Sequence, residues 1–158
     1  MKLSKTKALV FVGMVSAIYA ALSLMPGLSV LSFGPIQLRI AEALSALALL
    51  TPWAIPGLTI GCFLANLASP MMAVDLPFGT LATLIAALLT YLLRKRPMVA
   101  LLMPVIVNGI IIGATISFYT DAGFSLLMNM LLVASGEAAA CYVFGLPLYK
   151  ILKKNFKE

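Results

Sequence analysis

The chain has no histidine, two cysteines, one tryptophan and five acidic residues in a length of 158. Each scarcity closes off some chemistry. Without histidine there is no imidazole to move protons near neutrality, and the commonest metal ligand is gone. Cys62 and Cys141 stand alone inside apolar runs, without the paired spacing of a metal site. They read as small buried hydrophobes. No glycine-rich phosphate loop of the Walker type is present. No nucleophile stands in a recognisable catalytic setting either. The expectation is a protein that is not an enzyme and carries no cofactor or metal, with any ATP hydrolysis left to other polypeptides.

Charge is also scarce. Charged residues make up 10% and apolar residues 63%, against about 25% and 45–50% in a soluble domain. Mean hydropathy is +1.11. A soluble core of this size cannot hide so much apolar surface, so lipid must solvate it. The length suits one compact bundle, a single domain over 1–158. The net charge of +6 does not point to nucleic acid, because the basic residues gather at segment ends and not in a stripe interleaved with aromatics.

The start, Lys2 to Lys7 followed by an apolar run to Leu24, resembles a signal sequence. Its apolar part is too long for one and further spans follow, so it reads as an uncleaved first helix. The predicted spans are about 8–25, 39–50, 54–68, 76–93, 98–117 and 123–149. Pro26-Gly27 ends the first. Residues 28–38 alternate and contain Gly34-Pro35, which predicts an extended, partly re-entrant structured loop. Such backbone is tolerated at membrane depth only against protein or a wet cavity. The second and third spans are short and flank Thr51-Pro52-Trp53. They are either one kinked helix or a hairpin.

Charge chooses between these. With six helices, Lys2, Lys5, Lys7, the Arg94–Arg96 cluster and the tail lysines (Lys150, Lys153, Lys154, Lys157) all face the cytoplasm, and Asp75 and Asp121 face outward. Five helices split the basic clusters across the membrane. The positive-inside rule favours six, with both termini cytoplasmic and Trp53 at the inner interface.

The informative residues are polar ones where lipid should be. A charge at mid-bilayer costs roughly 2.5–3.5 kcal/mol on insertion scales, so such residues face a bundle interior. Arg39 and Glu42 are three apart and share a helix face. They either form a self-satisfying ion pair or hold a ligand. Glu137 lies deep in the last span among Ala134, Ser135, Gly136 and Ala138. It is either bonded to a neighbouring helix or part of a binding site. Asn66, Asn108 and Asn129 are buried amides that need partners. Singly they read as interhelical glue; with the acids they form a candidate polar cavity in the outer half. Asp75 precedes Leu76-Pro77 and reads as a helix cap or a binding residue. Asp121 reads as a loop residue. Ser16/Ala20 and Ala17/Ala21 are small pairs four apart on the first helix, suited to close packing.

Several runs carry a resemblance. Gly34-Pro35-Ile36-Gln37-Leu38-Arg39-Ile40-Ala41-Glu42-Ala43-Leu44 is similar to the signature of the QueT family. So are Thr51-Pro52, Ala54-Ile55-Pro56-Gly57, Gly61-Cys62-Phe63-Leu64-Ala65-Asn66, Phe78-Gly79-Thr80-Leu81-Ala82-Thr83-Leu84, Gly136-Glu137-Ala138 and Gly145-Leu146-Pro147-Leu148. The resemblance implies the substrate-binding (S) component of an energy-coupling factor (ECF) transporter in a bacterial cell membrane. It implies a six-helix bundle importing a queuosine precursor, 7-aminomethyl-7-deazaguanine or a relative. It also implies docking, through an alanine pattern that Ala17 and Ala21 fit, onto a coupling protein with two ATPases. Under it the expected ligand contacts are Arg39, Glu42, Asn66, Asp75, Asn108 and Glu137, with Phe33, Phe78, Tyr119 or Phe124 for stacking. An S component for another nutrient and a membrane scaffold without a ligand are the alternatives.

Overall fold

A computed structural model of the chain describes residues 4–33, 37–119 and 123–155. Gly34, Pro35, Ile36 and Asp121, and with them the Gly34-Pro35 break, lie outside the described residues, as do Lys2 and Lys157. The described residues form seven helical elements and no strand. They are α1 (Lys5–Leu24), α2 (Leu28–Ser32), a 3₁₀ helix (Ile40–Leu49), α3 (Ala54–Asn66), α4 (Met72–Leu92), α5 (Pro97–Tyr119) and α6 (Leu126–Lys154). By length and composition, α1, α4, α5 and α6 can each cross a membrane. Their outward faces carry exposed apolar side chains such as Leu9, Val10, Ile110, Phe118, Leu127 and Leu131.

Helix α1 ends before Pro26, and Gly27 takes φ +87°, a conformation that favours glycine. Residues 28–32 are helical, not extended as their alternation predicts. The amides of Leu28 and Ser29 both bond back to the Met25 carbonyl, and Phe33 bonds to Ser29. With no strand partner nearby, local helical bonds are the available way to satisfy this backbone.

The two short apolar segments form a hairpin. Arg39 and Cys62, 23 residues apart, approach to 3.6 Å (Nη1 to Sγ), which a single kinked helix could not allow. The reversal uses Thr51-Pro52-Trp53, where Ala54 and Ile55 bond back to Thr51 and Pro52. Ten residues of 3₁₀ helix rise about 20 Å at about 2.0 Å each. The 13 residues of α3 rise about the same at about 1.5 Å each. The two strokes of the hairpin therefore match.

Close contacts fix the packing directions. Gly57 meets Val15 and Val12, and Gly61 meets Tyr19 and Ser16, so α1 and α3 are parallel. Antiparallel pairs follow. Asn66 meets Asp75 while Cys62 meets Gly79 and Thr83 (α3 with α4). Gly79 meets Ile112 while Thr90 bonds the Ala100 carbonyl at 3.2 Å (α4 with α5). Gly109 meets Ala134 while Gly113 meets Met130 (α5 with α6). The start of α1 and the end of α6 thus lie at one end of the bundle. Lys5, Lys7, Arg94, Lys95, Arg96, Lys150, Lys153 and Lys154 gather there.

Two stretches are wound as π-helix, Asp75–Gly79 in α4 and Ala139–Gly145 in α6. A proline removes one helical N–H and collides with the carbonyl four residues back. Pro77 lies inside the first stretch, and Pro147 sits two residues past the second with Val143 as its fourth predecessor. Widening the ladder relieves the collision. The second stretch begins two residues after Glu137.

Candidate polar centre

The half of the bundle away from the basic end holds a buried polar constellation drawn from α1, the hairpin, α4, α5 and α6. In a 3₁₀ helix, residues three apart eclipse one another, so Glu42 and Ser45 stand in one row, with Arg39 just before the helix at its N-cap. All three are buried. Tyr19 of α1 donates its hydroxyl hydrogen to Oε1 of Glu42. Ser45 donates to Oε2 at 3.0 Å. Among the described residues Arg39 forms no direct ion pair with Glu42. Its guanidinium directs Nη1 at Cys62 Sγ and lies over the Phe33 ring, 5.3 Å from its centroid. The self-satisfying Arg39–Glu42 pair does not form: Glu42 is held by Tyr19 and Ser45, and Arg39 turns to Cys62 and Phe33.

Cys62 is fully buried, as a small hydrophobe would be, yet it is a polar node. Its sulfur accepts from Thr83 Oγ1 at 3.2 Å and Asn66 Nδ2 at 3.3 Å and faces the Gly79 carbonyl at 3.6 Å. Asn66 Nδ2 also donates to the Asp75 carbonyl at 2.8 Å. Since a carbonyl can only accept, that bond fixes the amide orientation and turns Oδ1 away. Gly79 has to be a glycine, because a Cβ there would come within 2.7 Å of Asn66 Nδ2.

Glu137 completes the centre from α6. It is 4% exposed, with Arg39, Glu42 and Asn108 among its electrostatic neighbours. Its Oε2 has no hydrogen-bond partner, and Arg39 Nε and Asn66 Oδ1 are likewise buried and unpaired. Buried polar groups nearly always find partners, so an orphan needs an explanation such as a ligand or water.

Arg39, Glu42, Asn66, Asn108 and Glu137 are therefore brought together. Asp75 is attached by its main-chain carbonyl. Its carboxylate accepts from Ser69 in the α3–α4 connection, and it does not cap α4, which starts at Met72 with no side-chain cap. Asn129 stands apart as glue, its Nδ2 donating to Ser117 Oγ at 2.8 Å between α5 and α6. Of the aromatic candidates, Phe33 touches the centre through Arg39. Phe78 and Tyr119 pair with each other at 6.3 Å and are exposed, as is Phe124. On α1 the small pairs divide. Ser16 turns inward and donates to the Gly57 carbonyl at 2.9 Å, whereas Gly13, Ala17 and Ala21 are exposed.

Tyr19, Ser45, Cys62 and Thr83 do not announce themselves in the sequence. Tyr19 alone carries a usable signal. It sits in the body of an apolar helix, not at an interface, and a buried phenol hydroxyl there must have a partner.

A multi-pass helical membrane protein with an apolar exterior and a buried, incompletely satisfied cluster of charges and amides is built as a transporter of small molecules is built. A sequence profile described as "QueT transporter" matches residues 9–154; the chain belongs to the QueT transporter family. A Lactococcus lactis subsp. cremoris (strain MG1363) protein described as "Queuosine precursor transporter QueT" is 42% identical over 96 residues, 61% of this chain. The match spans 56% of that relative's length. No solved structure matches the chain.

Proposed function

We propose that this chain is the substrate-binding (S) component of an energy-coupling factor transporter and captures a queuosine precursor, 7-aminomethyl-7-deazaguanine or a close relative, from outside the cell. In this reading the hairpin and the four longer helices make six spans, with both termini cytoplasmic. ATP hydrolysis by two partner ATPases, acting through a transmembrane coupling protein, drives release inside. The exposed Ala17 and Ala21 face of α1 is the docking surface for that coupling protein.

The observation that carries the reading is the set of unpaired buried atoms, Glu137 Oε2, Asn66 Oδ1 and Arg39 Nε, beside the Glu42 carboxylate. A guanine-like edge offers a ring N–H and an exocyclic amine side by side to acceptors, and its ring oxygen takes a donor such as the Arg39 guanidinium. A site of several polar contacts rejects analogues that leave such groups unpaired. Family membership and the 42% identity of the Lactococcus relative support the substrate class.

Titration calorimetry on the purified chain with a panel of deazaguanines tests it. Saturable binding of a queuosine precursor, absent for adenine-type heterocycles, is the expected result. No heat from any deazaguanine at high micromolar concentration, or tighter binding of an unrelated nutrient, overturns the substrate class.

A further inference from the structure

Only one basic side chain, Arg39, occurs between residues 8 and 93, and none between 97 and 149. The centre therefore holds one fixed cation against two carboxylates. Glu42 has a chain donor on each oxygen, Tyr19 on one and Ser45 on the other. Glu137 is in a different position. It too is buried, its Oε2 is unpartnered, and its neighbour Asn108 is neutral. Asn66 Oδ1 is a second unpaired acceptor, and Arg39 Nε is an unpaired donor. Among the described residues the centre therefore sets one arginine against two acidic side chains and leaves Glu137 Oε2 unanswered from within the chain. Asp75, the other carboxylate of this half, is answered by Ser69.

We infer that Glu137 is the specificity-determining residue of the centre: its free oxygen is the counter-charge for a primary ammonium group on the ligand, so the site selects cationic heterocycles over neutral ones of the same shape. This rests on the proposed function and narrows it from queuosine precursors in general to those bearing an ammonium arm. A cation–carboxylate hydrogen bond in a water-poor interior is roughly twice as strong as a neutral one. A neutral congener leaves Oε2 desolvated and unanswered.

The test compares 7-aminomethyl-7-deazaguanine with its hydroxymethyl isostere, equal in size and uncharged, by calorimetry on the intact chain. The expected result is a preference for the amine of at least about tenfold, shrinking to about threefold or less in Glu137→Gln. If Glu137→Gln does not fold, the wild-type comparison still decides. Equal affinity for the two ligands overturns the inference while leaving deazaguanine capture intact. Retention of the preference in Glu137→Gln, or its loss in Glu42→Gln alone, overturns the assignment to Glu137. Failure of every deazaguanine to bind overturns the proposed function and this inference together.

Discussion

The phenol of Tyr19 and the carboxylate of Glu42, 23 residues apart in sequence, are joined by a direct hydrogen bond inside the bundle. It ties α1 to the first stroke of the hairpin. Tyr19 lies on the inner face of the helix whose outer face presents Ala17 and Ala21.

Tyr19→Phe keeps the ring and deletes the donor, leaving Glu42 Oε1 buried without its partner. An unsatisfied buried group costs about 1–3 kcal/mol, more when charged. The expected outcome is a lower melting temperature in detergent together with weaker ligand binding, read by thermal shift and calorimetry on the same preparation. An unchanged melting temperature would show that Glu42 does not depend on this hydroxyl.

Cys62 separates two ways of being buried. Cys62→Ser keeps an acceptor for Thr83 and Asn66 and should stay folded with a modest loss. Cys62→Val fills the space but removes the acceptor, leaving the buried Thr83 hydroxyl without its partner at about 1–3 kcal/mol, while Asn66 keeps its bond to the Asp75 carbonyl. If Val is tolerated better than Ser in urea or thermal unfolding, the sulfur is acting only as an apolar filler.

A glycine pair tests the α1–α3 seam. At Gly61 an added Cβ would lie 2.6 Å from Tyr19 Cβ and 2.9 Å from the Ser16 carbonyl oxygen, so Gly61→Ala must push the helices apart. Overpacking of this kind costs about 1–3 kcal/mol. Gly13→Ala, with nothing within 4 Å, serves as the control and should be neutral or slightly stabilising in its helix. The two melting curves should separate clearly.

Ala17→Trp with Ala21→Trp addresses docking. Both positions are exposed, and surface changes usually stay within about 0.5 kcal/mol. The double variant should therefore melt like the parent and bind ligand normally, yet fail to co-purify with the coupling protein and ATPases. Normal co-purification would move the docking surface elsewhere.

How much of this was readable in advance depends on the energetics of each residue. The helical membrane class follows from apolar run length. Charge asymmetry selects the hairpin over the kink, and the Arg39–Cys62 contact bears that choice out. Arg39, Glu42, Asn108 and Glu137 stand out because charges and amides are costly in lipid, and the fold brings them together. The partners were hidden because Tyr, Ser, Thr and Cys are ordinary in such helices and become polar only in context. Backbone winding was hidden too. The alternation in 28–32 reads as extended, and nothing in Ile40–Leu49 distinguishes 3₁₀ from α, since that choice is made by what the segment packs against. Asp75 looked like a cap because proline follows one residue on, but the helix begins a turn earlier and absorbs Pro77 by widening.

The winding of Ile40–Leu49 has a mechanical corollary. A 3₁₀ helix is a drawn-out spring. Rewound with α pitch, the same ten residues would contract by about 5 Å and bring residues three apart about 60° out of line. Glu42 and Ser45 are in line only while the spring is extended, so the grip on the Glu42 carboxylate and the length of this segment are a single mechanical variable.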